Sequence, residues 1–299
     1  MKRILIRIFS VLILLAGAGI MLYPIISNSL YEKRQNELTE YYEQTMNELP
    51  KEEQKQHLDE CNAYNQSLRS GGVVLTDPFD ESQMDPNTHP YVDLLNMQGD
   101  GSMGILEIPK IKVKLMIYHG TSENVLQKGV GHLEGTSLPV GGSGTHVSLS
   151  AHSGLPDKEL FTNLDQLVEG DIFYLYVLGE TLAYEVNQIH TVLPNETNDL
   201  LIDSMQDYVT LITCTPYGIN SHRLLVRGTR IPYEEAKAQE TKLETPLIST
   251  WQTQYFQAIF IGIGIVIIIM LPILIVRRVR RRYRPQHVAK QSEKRRKER

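Results

Sequence analysis

The stretch IFYLYVLGETLAYEVNQI, residues 172–189, decides the fold class of the chain. Residues 172–178 and 181–189 are runs of aromatic, β-branched and other apolar residues, and Gly179-Glu180 separates them. Two such runs around a glycine-containing pair predict a β-hairpin. The chain is therefore predicted to be mainly β.

Further strand signals surround this hairpin. Ile111, Val113 and Leu115 alternate with lysines, and a period of two is typical of a half-buried strand. Apolar runs at residues 208–213 and 223–227 extend the pattern, and one helix is predicted near residues 156–167. Short strands with turn signals over about 130 residues favour a closed barrel or a sandwich.

The segments on either side differ in composition. Residues 27–72 are predicted to be helical and to divide at Pro50, because larger side chains recur among polar ones and no glycine interrupts them before Gly71. A loop rich in Asp, Pro, Asn and Gly follows, and long loops in compact domains are often functional. The predicted order is an anchor (1–26), a helical segment (27–72), a loop (73–100), a β domain (101–233), a polar stalk (234–254), a second span (255–276) and a basic tail (277–299).

Two apolar runs are long enough to cross a bilayer, which takes ~20 apolar residues. They cover residues 8–26 and 255–276. The first is predicted to be an uncleaved anchor, because it is longer than the apolar region of a signal peptide usually is. The Ala-Gly-Ala stretch at residues 16–18 leaves a cleaved signal peptide open as the alternative.

The distribution of charge predicts the orientation. Lys2, Arg3 and Arg7 precede the first run, and residues 277–299 contain twelve lysines and arginines. The positive-inside rule therefore predicts a membrane protein with both termini in the cytoplasm and residues 27–254 outside the cell. The basic tail is interpreted as a stop-transfer segment on anionic lipid.

The predicted extracellular segment is strongly acidic, since it contains all but two of the 35 acidic residues. Such a surface repels phosphate backbones, which excludes nucleic acid as its partner. The same segment contains the only two cysteines, Cys61 and Cys214. One disulfide is possible in an exported domain, but the context of Cys214 favours a free thiol.

Three residues at predicted strand ends have complementary chemistry. Cys214 ends the strand-like run at residues 210–214, His152 follows another strand, and Arg223 begins a third, nine residues after the cysteine. A thiolate is a nucleophile, an imidazole can protonate a departing amine, and a guanidinium can stabilise an oxyanion or hold a substrate backbone. By themselves the three residue types also fit a core cysteine, a hydrogen-bonded loop histidine and a surface ion pair.

The wider sequence resembles the sortases. The stretch TLITC, residues 210–214, with a histidine upstream and an arginine downstream, resembles their Thr-Leu-x-Thr-Cys signature. The stretches GVGHLEGTSLP (129–139) and CTPYGINSHRLLVRG (214–228) are similar to class C sortases, the pilus-assembling enzymes, as is the second apolar run. The resemblance covers about residues 70–233 in motif detail.

The resemblance implies a closed sortase-type β-barrel with N-terminal helices, a lid loop and two flanking transmembrane helices. It implies that Cys214 attacks the Thr–Gly bond of a Leu-Pro-x-Thr-Gly-like sorting signal to form a thioacyl enzyme. His152 would protonate the leaving amine, Arg223 would stabilise the substrate or oxyanion, and Thr213 would assist. The implied partners are pilin or surface-protein substrates with C-terminal sorting signals and a pilin lysine acceptor, and no metal or organic cofactor is implied.

A lid is implied by the same resemblance. Asp77-Pro78-Phe79 resembles the class C lid, in which an Asp and an aromatic residue cover the site; an Asp-Pro turn is the plainer alternative. The Asp77 carboxylate is expected to pair with Arg223 and the Phe79 ring to shield the Cys214 sulfur.

The sequence departs from the family pattern at one position beside the predicted site. Ser153 follows His152 where many relatives have an arginine, which leaves the local substrate contacts in doubt. Other histidines compete with His152 for the acid–base role, and we expect structural roles for two of them, which lie inside the recognised motifs. The competing histidines are His132, His146, His190 and His222, and the two in the motifs are His132 and His222.

Three other functions stay open at this point. One is a sortase that attaches single proteins to cell-wall peptide, and another is a cysteine protease that passes the acyl group to water. The third is a non-enzymatic, membrane-tethered scaffold at a pilus base. The second apolar run and the lid favour the pilus-assembling enzyme.

Overall fold

The computed structural model describes residues 2–71, 75–80, 90–240 and 250–297. The chain divides into two units, residues 1–247 and residues 248–299. The first unit contains a β-barrel, two long N-terminal helices and two short helices. The described part of the second, residues 250–297, is a single helix.

Eight strands form the barrel, and they close in the order β1-β2-β3-β4-β7-β8-β6-β5. The pairs β2–β3 and β4–β7 are parallel, and the other pairs are antiparallel. The strands are β1 (Ser102–Ile108), β2 (Val113–His119), β3 (Val130–His132), β4 (Thr145–Ser150), β5 (Ile172–Val177), β6 (Glu180–Val192), β7 (Asp207–Thr215) and β8 (His222–Ile231). The predicted mainly β, closed-barrel fold is thus confirmed.

The hairpin predicted from residues 172–189 is confirmed as β5 and β6. Leu178 and Gly179 form the turn with φ angles of 51° and 77°. Two consecutive residues at positive φ match the turn geometry that suits the twist of a tight hairpin. Glycine adopts this conformation without the steric cost that a side chain brings.

Strand alternation gives the barrel two apolar layers. Along β7, Leu211 lies in the main core, and Ile212 lies in a second cluster with Leu133, Leu200 and Leu225. Side chains two residues apart share one face of a strand. Cys214 therefore projects from the same face as Ile212, outside the main core.

The N-terminal helices α1 (Lys2–Glu48) and α2 (Lys51–Gly71) end and begin on either side of Pro50, as predicted. Tyr42 on α1 donates a hydrogen bond to the Met103 carbonyl of β1 at 3.0 Å. Asn65 on α2 binds both backbone groups of Leu138, at 2.7 and 3.2 Å. These buried polar contacts attach both helices to the barrel.

One prediction of local structure is wrong. Residues 156–167 form turns with one short 3-10 segment at Leu164–Gln166, because Leu160 has a φ of 43°, which an α-helix cannot include. The segment predicted as a polar stalk, 234–254, includes most of α4 (Tyr233–Glu240), whose Ala236 packs against Ile172, Tyr174 and Ala183, and its residues 241–249 lie outside the described part of the chain. The short helix α3 (Glu123–Leu126) was not predicted.

Among the residues that the structure describes, two helices are long and apolar enough to cross a membrane. One candidate span lies in α1, where Pro24 does not interrupt the helix, and the other covers Tyr255–Val279 of α5 (Thr250–Lys297). The large apolar side chains of residues 8–26 and most of those of residues 255–279 are exposed, as a lipid-facing helix requires.

Candidate active site

The site lies at one end of β7 and β8. Cys214 and Arg223 are direct partners in the antiparallel ladder between these strands. Directly opposite residues share a face of the sheet, with their Cβ atoms ~5 Å apart. The nine-residue spacing in the sequence thus brings the thiol and the guanidinium side by side, and the loop at residues 216–221 connects them.

Arg223 makes a bidentate ion pair with Asp77. Its Nε and Nη2 atoms donate to the two carboxylate oxygens at 2.8 and 2.6 Å. The two side chains are only 11% and 14% exposed. Its Nη1 donates to the carbonyls of Asn220 and His222, each at 3.1 Å. All three nitrogens of the guanidinium therefore donate hydrogen bonds within the protein itself.

The Phe79 ring lies close to both Arg223 and His152. Its ring centroid is 5.0 Å from the Arg223 guanidinium carbon and 5.8 Å from the His152 ring centroid. Phe79 also packs against the second apolar cluster, together with Leu75. The segment at residues 75–80 thus lies over the face from which Cys214 projects.

Cys214 is a half-buried free thiol. Burial raises its pKa, the Arg223 cation lowers it, and the Asp77 anion raises it, with a raised pKa as the result. The third cause comes from the segment at residues 75–80, and both burial and a neighbouring carboxylate make a thiol less easily ionised. In this conformation the nucleophilic thiolate is therefore disfavoured.

Two hydrogen bonds join the end of β7 to the loop that contains His152. The Thr213 hydroxyl donates to the Ala151 carbonyl at 2.8 Å, and the Ser153 hydroxyl donates to the Cys214 carbonyl at 2.7 Å. Thr213 is buried, and its hydroxyl contacts the backbone of Ala151, the residue before His152. Ser153, the departure from the family pattern, thereby contributes to holding the cysteine and the histidine segments together.

The His152 side chain is paired with a residue that the sequence did not single out. Its Nε2 lies 3.0 Å from a carboxylate oxygen of Glu123, the first residue of α3. The Gln127 amide donates to the other carboxylate oxygen at 2.7 Å. The pKa of Glu123 is lowered, mainly by this hydrogen bond from Gln127 and also by His152. The one signal available in the sequence was the position of Glu123 four residues before Gln127, a spacing at which side chains meet on a helix.

The competing histidines have other partners. His132 and His146 are buried, and burial lowers the pKa of each to about 4. His132 Nδ1 lies 2.9 Å from the Tyr91 hydroxyl, and His146 bonds to the Thr210 hydroxyl at 2.8 Å. His190 pairs with Asp199, and His222 contacts Ser221. His222 also lies at this end of the ladder, across from Thr215, but His152 is the histidine that contacts the Phe79 ring over Arg223 and whose loop is hydrogen-bonded to Thr213 and Cys214.

Comparison with known proteins matches this geometry. The family model for the sortase domain matches residues 106–231. Sortase D of Bacillus subtilis (strain 168) is 30% identical over 131 residues, which are 43% of this chain and 63% of that protein. Sortase A of Bacillus anthracis is 26% identical over 51% of this chain and 71% of its own length. The first of these alignments spans less than two thirds of the relative.

Solved structures match over more of their length. Sortase C of Streptococcus pneumoniae is 47% identical with a TM-score of 0.60, covering 66% of this chain and 97% of that one. The pilus-related sortase C of Group B Streptococcus is 46% identical with a TM-score of 0.61, covering 66% and 98%. Sortase C-1 of Actinomyces oris is 47% identical with a TM-score of 0.57, covering 60% and 99%. The chain belongs to the sortase family.

Proposed function

We propose that this chain is a class C sortase, a membrane-anchored cysteine transpeptidase that polymerises pilins outside the cell. The observation that carries the proposal is the bidentate pair between Asp77 and Arg223, beside Cys214 and under Phe79. A covered site suits an enzyme whose thioester has to react with an amine before water hydrolyses it. The likeness to sortase C structures, one of them described as pilus-related, supports the same class.

The proposed acylation uses the three grouped residues. The Cys214 thiolate attacks the threonine carbonyl carbon of a Leu-Pro-x-Thr-Gly-like signal, and a C–S bond forms. Arg223 hydrogen-bonds the oxyanion or the substrate backbone. The Thr–Gly C–N bond then breaks, and His152 gives its proton to the departing glycine amine.

The proposed second step regenerates the enzyme. The uncharged amine of a pilin lysine attacks the thioester, a C–N isopeptide bond forms and the C–S bond breaks. Cys214 leaves as thiolate, and His152 takes up the proton that the amine loses. The atoms and charges of the two steps therefore balance without a cofactor.

The second apolar cluster supports a peptide with apolar residues before the threonine. Leu133, Leu200, Ile212 and Leu225 form this cluster on the face of Cys214. Leu75 and Phe79 cover it, so the segment at residues 75–80 would have to move before a sorting signal binds. In this proposal Asp77 and Phe79 act as a lid.

The proposed setting is the outer face of a cell membrane. Candidate spans in α1 and α5 and the basic residues outside them support two membrane helices with both termini in the cytoplasm. Attachment at the membrane would keep the site near substrates that are themselves exported.

The test uses the full chain in lipid nanodiscs with the variant Asp77→Ala. It is incubated with a fluorescent Leu-Pro-x-Thr-Gly peptide and either a pilin domain that contains the acceptor lysine or a cell-wall peptide amine. Transfer to the pilin lysine is expected, and Cys214→Ala should abolish it. Preferred transfer to the cell-wall peptide would support the single-protein anchoring enzyme, and exclusive hydrolysis would support a protease. No reaction with any acceptor would favour the scaffold.

A further inference from the structure

We infer that Glu123 is a positioning residue for His152, in the reaction proposed above. The inference rests on that proposed function for its catalytic meaning and on geometry for the contact itself. A nucleophile, its acid–base partner and a third group that orients the partner form a recurrent arrangement in acyl transfer. Here Cys214 and His152 are the first two groups, and the 3.0 Å contact to Glu123 supplies the third.

The contact fixes which ring nitrogen is protonated. An ionised carboxylate only accepts hydrogen bonds, and the lowered pKa of Glu123 keeps it ionised. The Nε2 atom of His152 therefore has to be the donor. In the neutral ring this leaves Nδ1 with the lone pair, and in the charged ring Nδ1–H is the proton free to leave.

Gln127 holds the Glu123 carboxylate in place, and Lys158 holds Gln127. Gln127 donates its amide N–H to one Glu123 oxygen at 2.7 Å and accepts at its own Oε1 from Lys158 Nζ at 2.8 Å. The amide can satisfy both neighbours only in this orientation, with its donor toward the anion and its acceptor toward the cation. Lys158 Nζ in turn lies 5.8 Å from the ring centroid of Tyr31 on α1.

Contacts of the loop at residues 158–161 connect α1 to His152. Asn28 on α1 accepts a hydrogen bond from the Glu159 backbone N–H at 3.0 Å, next to Lys158. The Phe161 N–H donates to the His152 carbonyl at 3.0 Å, so the same loop also holds the backbone of His152. The imidazole is thus constrained from both its backbone and its ring.

Removal of the Glu123 carboxylate should affect the orientation of His152 more than the stability of the fold. Glu123 is 52% exposed and His152 19% exposed, and such exposed pairs contribute little to folding. The effect of removing the carboxylate should therefore fall on the orientation of the ring. Loss of the group that orients a metal-bound histidine typically lowers metal affinity or activity about ten- to a hundredfold, and we expect an effect of similar size on His152.

The kinetic test compares Glu123→Gln, Glu123→Ala and Glu123→Asp in the full chain with Asp77→Ala, in nanodiscs. Glu234→Gln is the matched control, because Glu234 is an exposed glutamate in the first turn of α4. The neutral variants are expected to lower kcat about tenfold or more, with KM within about twofold. Glu123→Asp should recover part of kcat, and Glu234→Gln should match the parent.

A spectroscopic measurement tests the role of Glu123 independently of the proposed function. In detergent micelles, ¹⁵N-labelled histidine reports the tautomer of His152, assigned with the variant His152→Gln. The Nε2–H form is expected in the parent and a mixture in Glu123→Ala. An unchanged tautomer, or a kcat equal to the parent in Glu123→Gln, would overturn the role of Glu123. A parent without any transfer activity would overturn the proposed function instead, and the tautomer would then decide the role of Glu123 alone.

Discussion

Asp77 and Cys214 are both neighbours of the same arginine, Arg223. The Asp77 carboxylate takes two hydrogen bonds from Arg223, and Arg223 lies directly across the strand ladder from Cys214. A group proposed to stabilise substrate is thereby occupied by the chain itself. Opening the lid would release the guanidinium and expose the thiol in one movement.

Removal of the Asp77 carboxylate should make Cys214 more reactive. In Asp77→Ala the bidentate pair is lost, and the segment at residues 75–80 loses its charged attachment. We expect the rate of Cys214 alkylation by a maleimide to rise about tenfold, the factor that corresponds to ~1.4 kcal/mol. Asp203→Ala, in the loop before β7, is the control and should leave the rate unchanged. An equal rate in Asp77→Ala would contradict the lid.

The pH dependence of alkylation should change in the same variant. Burial and the Asp77 anion raise the pKa of Cys214, and the Arg223 cation lowers it. In Asp77→Ala the first two influences weaken and the cation stays, so the pH midpoint of alkylation should move down. The measurement is the iodoacetamide rate against pH, followed by mass spectrometry of the Cys214 peptide. A midpoint that stays or rises would show that the covering does not control ionisation.

Labelling should be selective for Cys214 over Cys61. Burial raises the pKa of Cys61 to about 12, with the nearby Glu60 as a smaller cause. Its side chain is fully buried in the core, so reagent and water are both excluded. Mass spectrometry of the native chain after maleimide treatment should find adducts at Cys214 alone. Comparable labelling of Cys61 would mean that α2 separates from the barrel.

Thr213 should contribute through its hydroxyl. Thr213→Val removes the hydrogen bond to the Ala151 carbonyl and leaves a buried acceptor unpaired, which costs about 1–3 kcal/mol. We expect a lower midpoint of thermal unfolding and slower transfer, because Ala151 precedes His152. Thr213→Ser retains the hydroxyl and should lie close to the parent in both measurements. If Thr213→Val behaves like the parent, the contact does not position His152.

The attachment of α2 gives a test of the fold. Asn65→Ala removes two hydrogen bonds to the Leu138 backbone and should destabilise the chain by about 2 kcal/mol. Asn62→Ala is the matched control, because Asn62 is exposed on the same helix. Differential scanning fluorimetry in detergent should show a fall of several degrees for the first variant alone. Equal midpoints would mean that α2 does not depend on this contact.

Local patterns predicted the hairpin, the strand ends at Cys214 and Arg223, and the division of the helices at Pro50. These features depend on alternation, turn residues and proline, which act between near neighbours. The sequence failed at residues 156–167, where long-range contacts such as the Glu159–Asn28 bond replace helical ones. Glu123 was missed because its partner His152 is 29 residues away and only the barrel brings the two together.

The reaction itself is tested by trapping its first intermediate. The full chain with Asp77→Ala is mixed with a Leu-Pro-x-Thr-Gly peptide, quenched in acid and digested, and the Cys214 peptide is weighed by mass spectrometry. The predicted result is a hydroxylamine-sensitive mass increase equal to the peptide up to its threonine, on Cys214 alone and absent in His152→Ala. An unmodified Cys214 under these conditions, or the same adduct in Cys214→Ala, would contradict the assignment of this thiol as the nucleophile.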